Sequence, residues 1–106
     1  MDGRFMRVIV MFDLPMGTTA ERREYTRFRK SLIRDGFIQV QESVYSKLAL
    51  NPTISRSIMD TVRRNKPSKG LVQMLVVTEK QYAKMEYVLG ESCSEIIDSE
   101  ERLIVL

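Results

Sequence analysis

Apolar residues run without a break from Val8 to Phe12, and the run ends at Asp13 and Pro15. A strand that is buried on both faces carries apolar side chains on both, so this run predicts a first strand. Pro15 lacks a backbone donor and fixes φ, which marks the exit from the sheet. The carboxylate of Asp13 is therefore predicted to lie at the strand end, as either a turn-forming residue or a functional group.

The next two periodic stretches have apolar residues three or four positions apart, which predicts two helices. Before the first helix, Thr18 and Glu21 have the spacing of a capping box, and Gly36 supplies a stop after it. Before the second, Asn51 is a suitable N-cap and Pro52 suits the first helical position. The apolar positions at helical spacing are Tyr25, Phe28 and Leu32, with Ile33 at the edge, and then Ile54, Ile58 and Val62.

Shorter apolar runs predict the remaining elements. The stretch "FIQVQESVYSKLAL" contains two strands with a turn near Glu42 and Ser43, and "LVQMLVVT" is a fourth strand. A short third helix is predicted in "EKQYAKMEYVLG", and a further strand in "RLIVL", at about 101–106. The first four strands and two helices follow the ferredoxin-like order β-α-β-β-α-β, with both helices on one face of an antiparallel sheet. Residues 1–106 are thus predicted to form one α+β domain.

The sheet face without helices would be exposed in a monomer, although the predicted strands are apolar on both sides. Such a face is usually covered by a second copy, and the strand at 101–106 can add to a neighbouring sheet edge. We therefore predict a homodimer, in which this last strand is used in docking to the dimer partner or to another protein.

Charge is distributed unevenly: residues 1–70 have fourteen Lys and Arg against seven Asp and Glu, whereas residues 71–106 have three against seven. On the first helix, four cations occupy the face opposite the apolar positions, and a second group lies around the end of the other helix. This basic half is either a solvated surface or a phosphate-binding one, without a base-reading signature. The cations are Arg23, Arg27, Lys30 and Arg34, followed by Arg63, Arg64, Lys66 and Lys69.

Several kinds of chemistry are excluded by composition. The chain has no histidine, so nucleophile–histidine pairs and histidine metal sites are absent. Its five glycines are scattered and form no phosphate-binding loop. Cys93 is the only cysteine, and the longest apolar runs are strand-sized, so we expect a cytoplasmic protein that does not enter the membrane. Asp13 is left as the one carboxylate at a strand end within the basic half.

Three stretches, "VIVMFDLP", "ERR" and "DGFIQVQESVY", together resemble the second CRISPR-associated protein family, the small partner of the CRISPR integrase. The resemblance implies a ferredoxin-like homodimer that bridges integrase dimers and holds the incoming double-stranded DNA during spacer acquisition. It also implies a metal-dependent phosphodiesterase activity, assigned to the strand-end carboxylate. By position, that carboxylate is Asp13, the arginine pair is Arg22 and Arg23, and the supporting polar strand residue is Ser43.

Magnesium is commonly held by one or two carboxylates with water and substrate phosphate. We therefore expect one Mg²⁺, shared by Asp13 of both protomers, if the dimer axis passes close to both strand ends; otherwise Asp13 caps a turn. Two other functions remain open: a scaffold without catalysis, and a stand-alone toxin-like endoribonuclease, for which RNA replaces DNA as the polyanion.

Overall fold

The computed structural model describes residues 5–92, and the predicted strand at 101–106 and Cys93 lie outside this range. Every predicted element within it is present and in the predicted order. The elements are β1 (Met6–Asp13), α1 (Thr19–Arg34), β2 (Ile38–Gln41), β3 (Val44–Ala49), α2 (Pro52–Arg64), β4 (Leu71–Thr78) and α3 (Glu79–Ala83). The third helix is shorter than predicted, because the Lys84 N–H donates to the Gln81 carbonyl at 3.1 Å and closes a tighter turn.

The four strands form one sheet in the order β2-β3-β1-β4, and all three pairings are antiparallel. This order, together with the βαββαβ succession, confirms the predicted ferredoxin-like α+β fold. Val8, Val10 and Phe12 of β1 are buried against α1 and α2, where Phe28 and Val62 belong to the same core. Both helices therefore lie on one face of the sheet.

Helices α1 and α2 begin with the N-caps that the sequence predicts. The Thr18 hydroxyl accepts a hydrogen bond from the Glu21 N–H at 3.1 Å, and the Glu21 carboxylate accepts one from the Thr18 N–H at 3.0 Å. This reciprocal pair satisfies two backbone donors that a helix start leaves without partners. Asn51 caps α2 with a single hydrogen bond, in which its Oδ1 accepts from the Ile54 N–H at 2.8 Å. The side chain of Ile54 itself is 40% exposed and lies outside the core cluster.

The other face of the sheet, here called the open face, carries the alternate side chains of the strands. At one end of this face α3 is held by Arg7, whose Nε lies 2.8 Å from Glu79 Oε1 and whose guanidinium lies 4.4 Å from the Tyr82 ring centroid. Tyr82 also hydrogen-bonds the buried hydroxyl of Ser46 at 3.1 Å. Asp13 lies at the other end of β1, about 20 Å away along the strand. None of the helices within residues 5–92 has the length and hydropathy needed to cross a bilayer.

Candidate functional site at the end of the first strand

The direction of the Asp13 side chain follows from its neighbour Phe12. The Phe12 ring is buried among three aromatic rings, with centroid distances of 5.7 Å to Tyr25, 5.1 Å to Phe28 and 5.8 Å to Tyr45. Because successive strand side chains point to opposite faces, Asp13 projects from the open face. Asp13 is exposed, so its carboxylate is accessible from that side.

Ser43 lies beside this strand end and holds it in place. Its carbonyl accepts a hydrogen bond from the Phe12 N–H at 3.1 Å, and its hydroxyl lies 3.4 Å from the Tyr25 hydroxyl. Both contacts fasten the turn between β2 and β3 to the core next to Asp13. The supporting role assigned to Ser43 by resemblance stays a prediction, and these contacts are a means by which it would act.

A further neighbour of Asp13 was not anticipated from the sequence. Gly70, the residue before β4, adopts a φ of +100° and lies against the Asp13–Leu14 backbone. The glycine that ends the "KPSKG" loop was a signal of a tight turn, but its spatial partner is separated from it by most of the chain. Gly70 thus determines how closely the loop before β4 approaches the candidate carboxylate.

One chain supplies few ligands for a metal ion. Among residues 5–92, no group of three or more Asp, Glu, His or Cys side chains is close enough to hold one. A magnesium site that uses one or two carboxylates, water and substrate phosphate needs fewer protein ligands than that. Asp13 fits such a site as one of its carboxylates.

The two groups of cations predicted from the sequence are joined in the structure through Arg27. Its guanidinium donates to Glu24 Oε1 at 3.1 Å and Oε2 at 2.7 Å, and also to the Asn65 carbonyl at 3.1 Å. The hydrogen bond from Arg27 lowers the pKa of Glu24 and raises the pKa of Arg27. A backbone hydrogen bond from Ser68 also lowers the pKa of Glu24. Arg27 therefore ties α1 to the loop after α2.

The remaining predicted cations differ in how strongly they are engaged. Arg34 pairs with Asp35 at 3.3 Å and Arg63 pairs with Asp60 at 2.6 Å, whereas Arg22 donates to the Met16 carbonyl at 3.1 Å. The other five cations form no ion pair with any residue in the range 5–92. These are Arg23, Lys30, Arg64, Lys66 and Lys69.

Sequence comparison places this geometry in a known family. The sequence model of the CRISPR associated protein Cas2 family matches residues 6–85, which include all of β1 to α3. The chain belongs to the Cas2 family. Its resemblance to the second CRISPR-associated protein family is thereby confirmed.

Similar Cas2 proteins come from several bacteria, and three of them match along nearly their whole length. The chain is 57% identical to the "CRISPR-associated endoribonuclease Cas2" of Treponema denticola over 101 residues, which is 95% of this chain and all of that protein. It is 46% identical to the protein of the same name from Streptococcus mutans, over 95% of this chain and 93% of that one. The Cas2 protein of Ligilactobacillus salivarius is 45% identical, over 95% of this chain and all of its own.

Proposed function

We propose that this chain is the dimeric nucleic-acid-binding subunit of a CRISPR adaptation complex, where it holds DNA and bridges integrase subunits. In this proposal the chain is also a magnesium-dependent endonuclease. The observation that carries the proposal is the exposed Asp13 carboxylate at the end of β1, on the sheet face that lacks α1 and α2. Membership of the Cas2 family supports the CRISPR context. The name endoribonuclease, given to similar proteins, supports phosphodiester cleavage, with RNA as the first substrate to test.

A homodimer is supported by the open face around Asp13. Leu71, which pairs with Asp13 across the ladder, is 54% exposed, and Leu75 is 51% exposed. Ile9 and Met11 alternate with the core residues of β1 on the same side. An isologous interface that buries these side chains would bring the two Asp13 carboxylates together if its two-fold axis passes close to the strand ends. The strand predicted at 101–106 stays a predicted docking element.

In such a dimer the two Asp13 side chains are the residues that would hold magnesium. When bound, the ion would polarise a phosphate oxygen and lower the pKa of a coordinated water. The chain's own contribution is to hold the carboxylates rigidly, because Phe12 is locked in the aromatic core and Ser43 fastens the strand end. Arg23, Lys30, Arg64, Lys66 and Lys69 supply positive charge for phosphates without ion pairs that must first be broken among residues 5–92.

The test replaces Asp13 by Asn, which keeps the size of the side chain and removes its charge. Cleavage of single-stranded RNA and of duplex DNA is measured for wild type and Asp13→Asn with magnesium and with chelator. We expect cleavage by wild type with magnesium only, none by Asp13→Asn, and equal nucleic-acid binding and dimer content for both. Asp60→Asn is the matched control, because this exposed carboxylate lies on α2 and should leave cleavage unchanged. Cleavage by Asp13→Asn at the wild-type rate would place the chemistry elsewhere, and binding without any cleavage by wild type would favour a scaffold.

A further inference from the structure

The loop between α2 and β4 lines a cavity of about 280 Å³. The lining is the continuous segment 66–72, with the sequence "KPSKGLV". This segment contains two lysines and a serine hydroxyl but no carboxylate. A concave site with two cations and a hydroxyl donor, and without an anion of its own, suits a phosphate group.

The two lysines of this loop are available to bind an anion. Lys66 and Lys69 are exposed, and neither forms an ion pair with any residue in the range 5–92. Arg63, at the end of α2, is by contrast paired with Asp60 at 2.6 Å. A phosphate can therefore bind the loop lysines without first breaking an ion pair in the described part of the chain.

The loop is held in place from two sides. Near its start, the Arg27 guanidinium lies 3.5 Å from the Lys66 carbonyl oxygen, and the Ser68 N–H donates a hydrogen bond to the Glu24 carboxylate. At its end, Gly70 lies against the backbone that leaves β1. Because these contacts already order the loop, little conformational freedom is left to lose when a phosphate binds.

Leu71 connects the cavity to the candidate carboxylate. It belongs to the cavity lining, and it is the partner of Asp13 in the ladder between β1 and β4. Directly opposite residues of an antiparallel pair carry their side chains on the same face, with Cβ atoms roughly 5 Å apart. A nucleic-acid backbone that passes Asp13 on the open face would therefore reach the loop at a neighbouring phosphate.

A second cavity, of about 240 Å³, lies between the exit from β1, the first turns of α1 and the same loop. Residues 67–69 belong to both linings. The cavity beside α1 also contains Glu21 and Glu24, so a phosphate there would meet two carboxylates at close range. These carboxylates direct a phosphate bound by Lys69 to the cavity of segment 66–72.

We propose that Lys66 and Lys69 bind the backbone phosphate next to the one that is cleaved at Asp13, an inference that rests on the proposed nuclease function. This contact would hold the strand so that the reacting phosphate lies at Asp13, which makes both lysines positioning residues. The other unpaired cations attract any stretch of backbone, whereas this loop acts at one linkage of the bound strand.

The experiment removes the charge of the phosphate and the charge of the lysine, separately and together. A short RNA oligonucleotide, in which few binding registers are possible, is prepared with one uncharged methylphosphonate linkage at a time. Each such linkage is placed at a deoxynucleotide, and the same deoxynucleotide with an ordinary phosphate is its control. Affinity is measured in the Asp13→Asn background, which is expected to bind without cleaving, and cleavage is measured without that substitution.

Both measurements are repeated with Lys69→Gln, and with Lys69→Arg, which keeps the charge. Lys80→Gln is the matched control, because Lys80 is also an exposed lysine but lies on α3, at the other end of the sheet. In the proteins with Lys69 and in Lys80→Gln, we expect a methylphosphonate beside the cleaved linkage to weaken binding about tenfold, the loss of one charge-assisted hydrogen bond. Lys69→Gln should bind the unmodified strand about as weakly, and that methylphosphonate should then have no further effect. Lys69→Arg should restore the effect.

Equal affinity for every methylphosphonate position would overturn the proposal even if cleavage is normal. So would a sensitive linkage far from the cleaved one, or an effect of the sensitive linkage that persists in Lys69→Gln. A linkage effect that Lys69→Gln removes, without any cleavage by wild type, would instead support the phosphate site in the loop and contradict the nuclease function.

Discussion

Gly70 lies so close to Asp13 that a Cβ atom on Gly70 would stand 2.8 Å from the Asp13 carbonyl oxygen. The same Cβ would lie 2.7 Å from Cδ2 of Leu14, and both distances are shorter than side-chain carbons normally reach. The backbone φ of +100° is also a conformation in which residues other than glycine are strained. The start of β4 can therefore pack on the candidate carboxylate's backbone only because residue 70 has no side chain.

Gly70→Ala should displace the Asp13 backbone and reduce cleavage by up to about a hundredfold, because displacements near 1 Å at a reacting group have effects of that size. The expected signature is a fall in kcat with little change in nucleic-acid affinity, measured in the folded protein. Gly90→Ala is the matched control, since Gly90 also has a positive φ, of 87°, but the added carbon would meet no neighbouring atom of residues 5–92 within 4 Å. Unchanged kcat in a folded Gly70→Ala protein would show that Asp13 tolerates the displacement.

The dimer proposed for the open face can be tested with a charge placed on it. Leu75→Lys puts an ammonium group among apolar side chains of the expected interface, where its desolvation is unfavourable. We expect the dimer dissociation constant, measured by sedimentation, to rise at least about tenfold, a change of 1.4 kcal/mol. Ile33→Lys on α1 starts from nearly the same exposure, 49% against 51%, and should leave the dimer intact. Equal dissociation constants for both variants would move the interface to another surface.

Arg27 forms an ion pair with Glu24, whereas several other cations of the basic half have no ion pair within the described part of the chain. Neutralising Arg23, Lys30 and Lys66 to Gln should lower the slope of log K against log salt for duplex DNA by roughly 0.9 per lost phosphate contact. Arg27→Gln should change this slope little, because its guanidinium is already bound to Glu24 and to loop carbonyls. If Arg27→Gln lowers the slope and the triple variant does not, Arg27 contacts phosphate and the three unpaired cations do not.

Acid should loosen the loop that Arg27 holds, and Glu24 determines the pH at which it does so. The Arg27 hydrogen bond lowers the pKa of Glu24 below its ordinary value of 4.5. Such a group contributes stability above the unfolded-state pKa and loses it as pH falls through the lower, folded-state value. Wild type should therefore lose stability below about pH 4.5 more steeply than Glu24→Gln, as measured by urea unfolding. If the free energy of unfolding falls equally with pH in wild type and Glu24→Gln, the Glu24–Arg27 pair does not contribute to acid sensitivity. Asp60→Asn is the control, because it removes another ion pair on a helix surface.

Much of the fold was predictable because its signals are local. The capping box at Thr18, the cap at Asn51 and the apolar run ending at Asp13 each depend on residues a few positions apart. This unbroken run and Pro15 after it also predicted that Asp13 would lie at a strand end. The length of α3 was predicted less well, because apolar residues continue after Ala83 while the backbone has already closed a tighter turn.

The sequence by itself determined the order of elements, the uneven charge and the one carboxylate at a strand end of the basic half. Only the tertiary structure decided that Gly70 packs on Asp13, that Arg27 joins the two basic groups, and that a cavity lies beside the strand end. The physical reason is separation along the chain. Helical and strand periods are set by near neighbours, whereas these contacts form between distant segments whose approach depends on how the helices pack on the sheet.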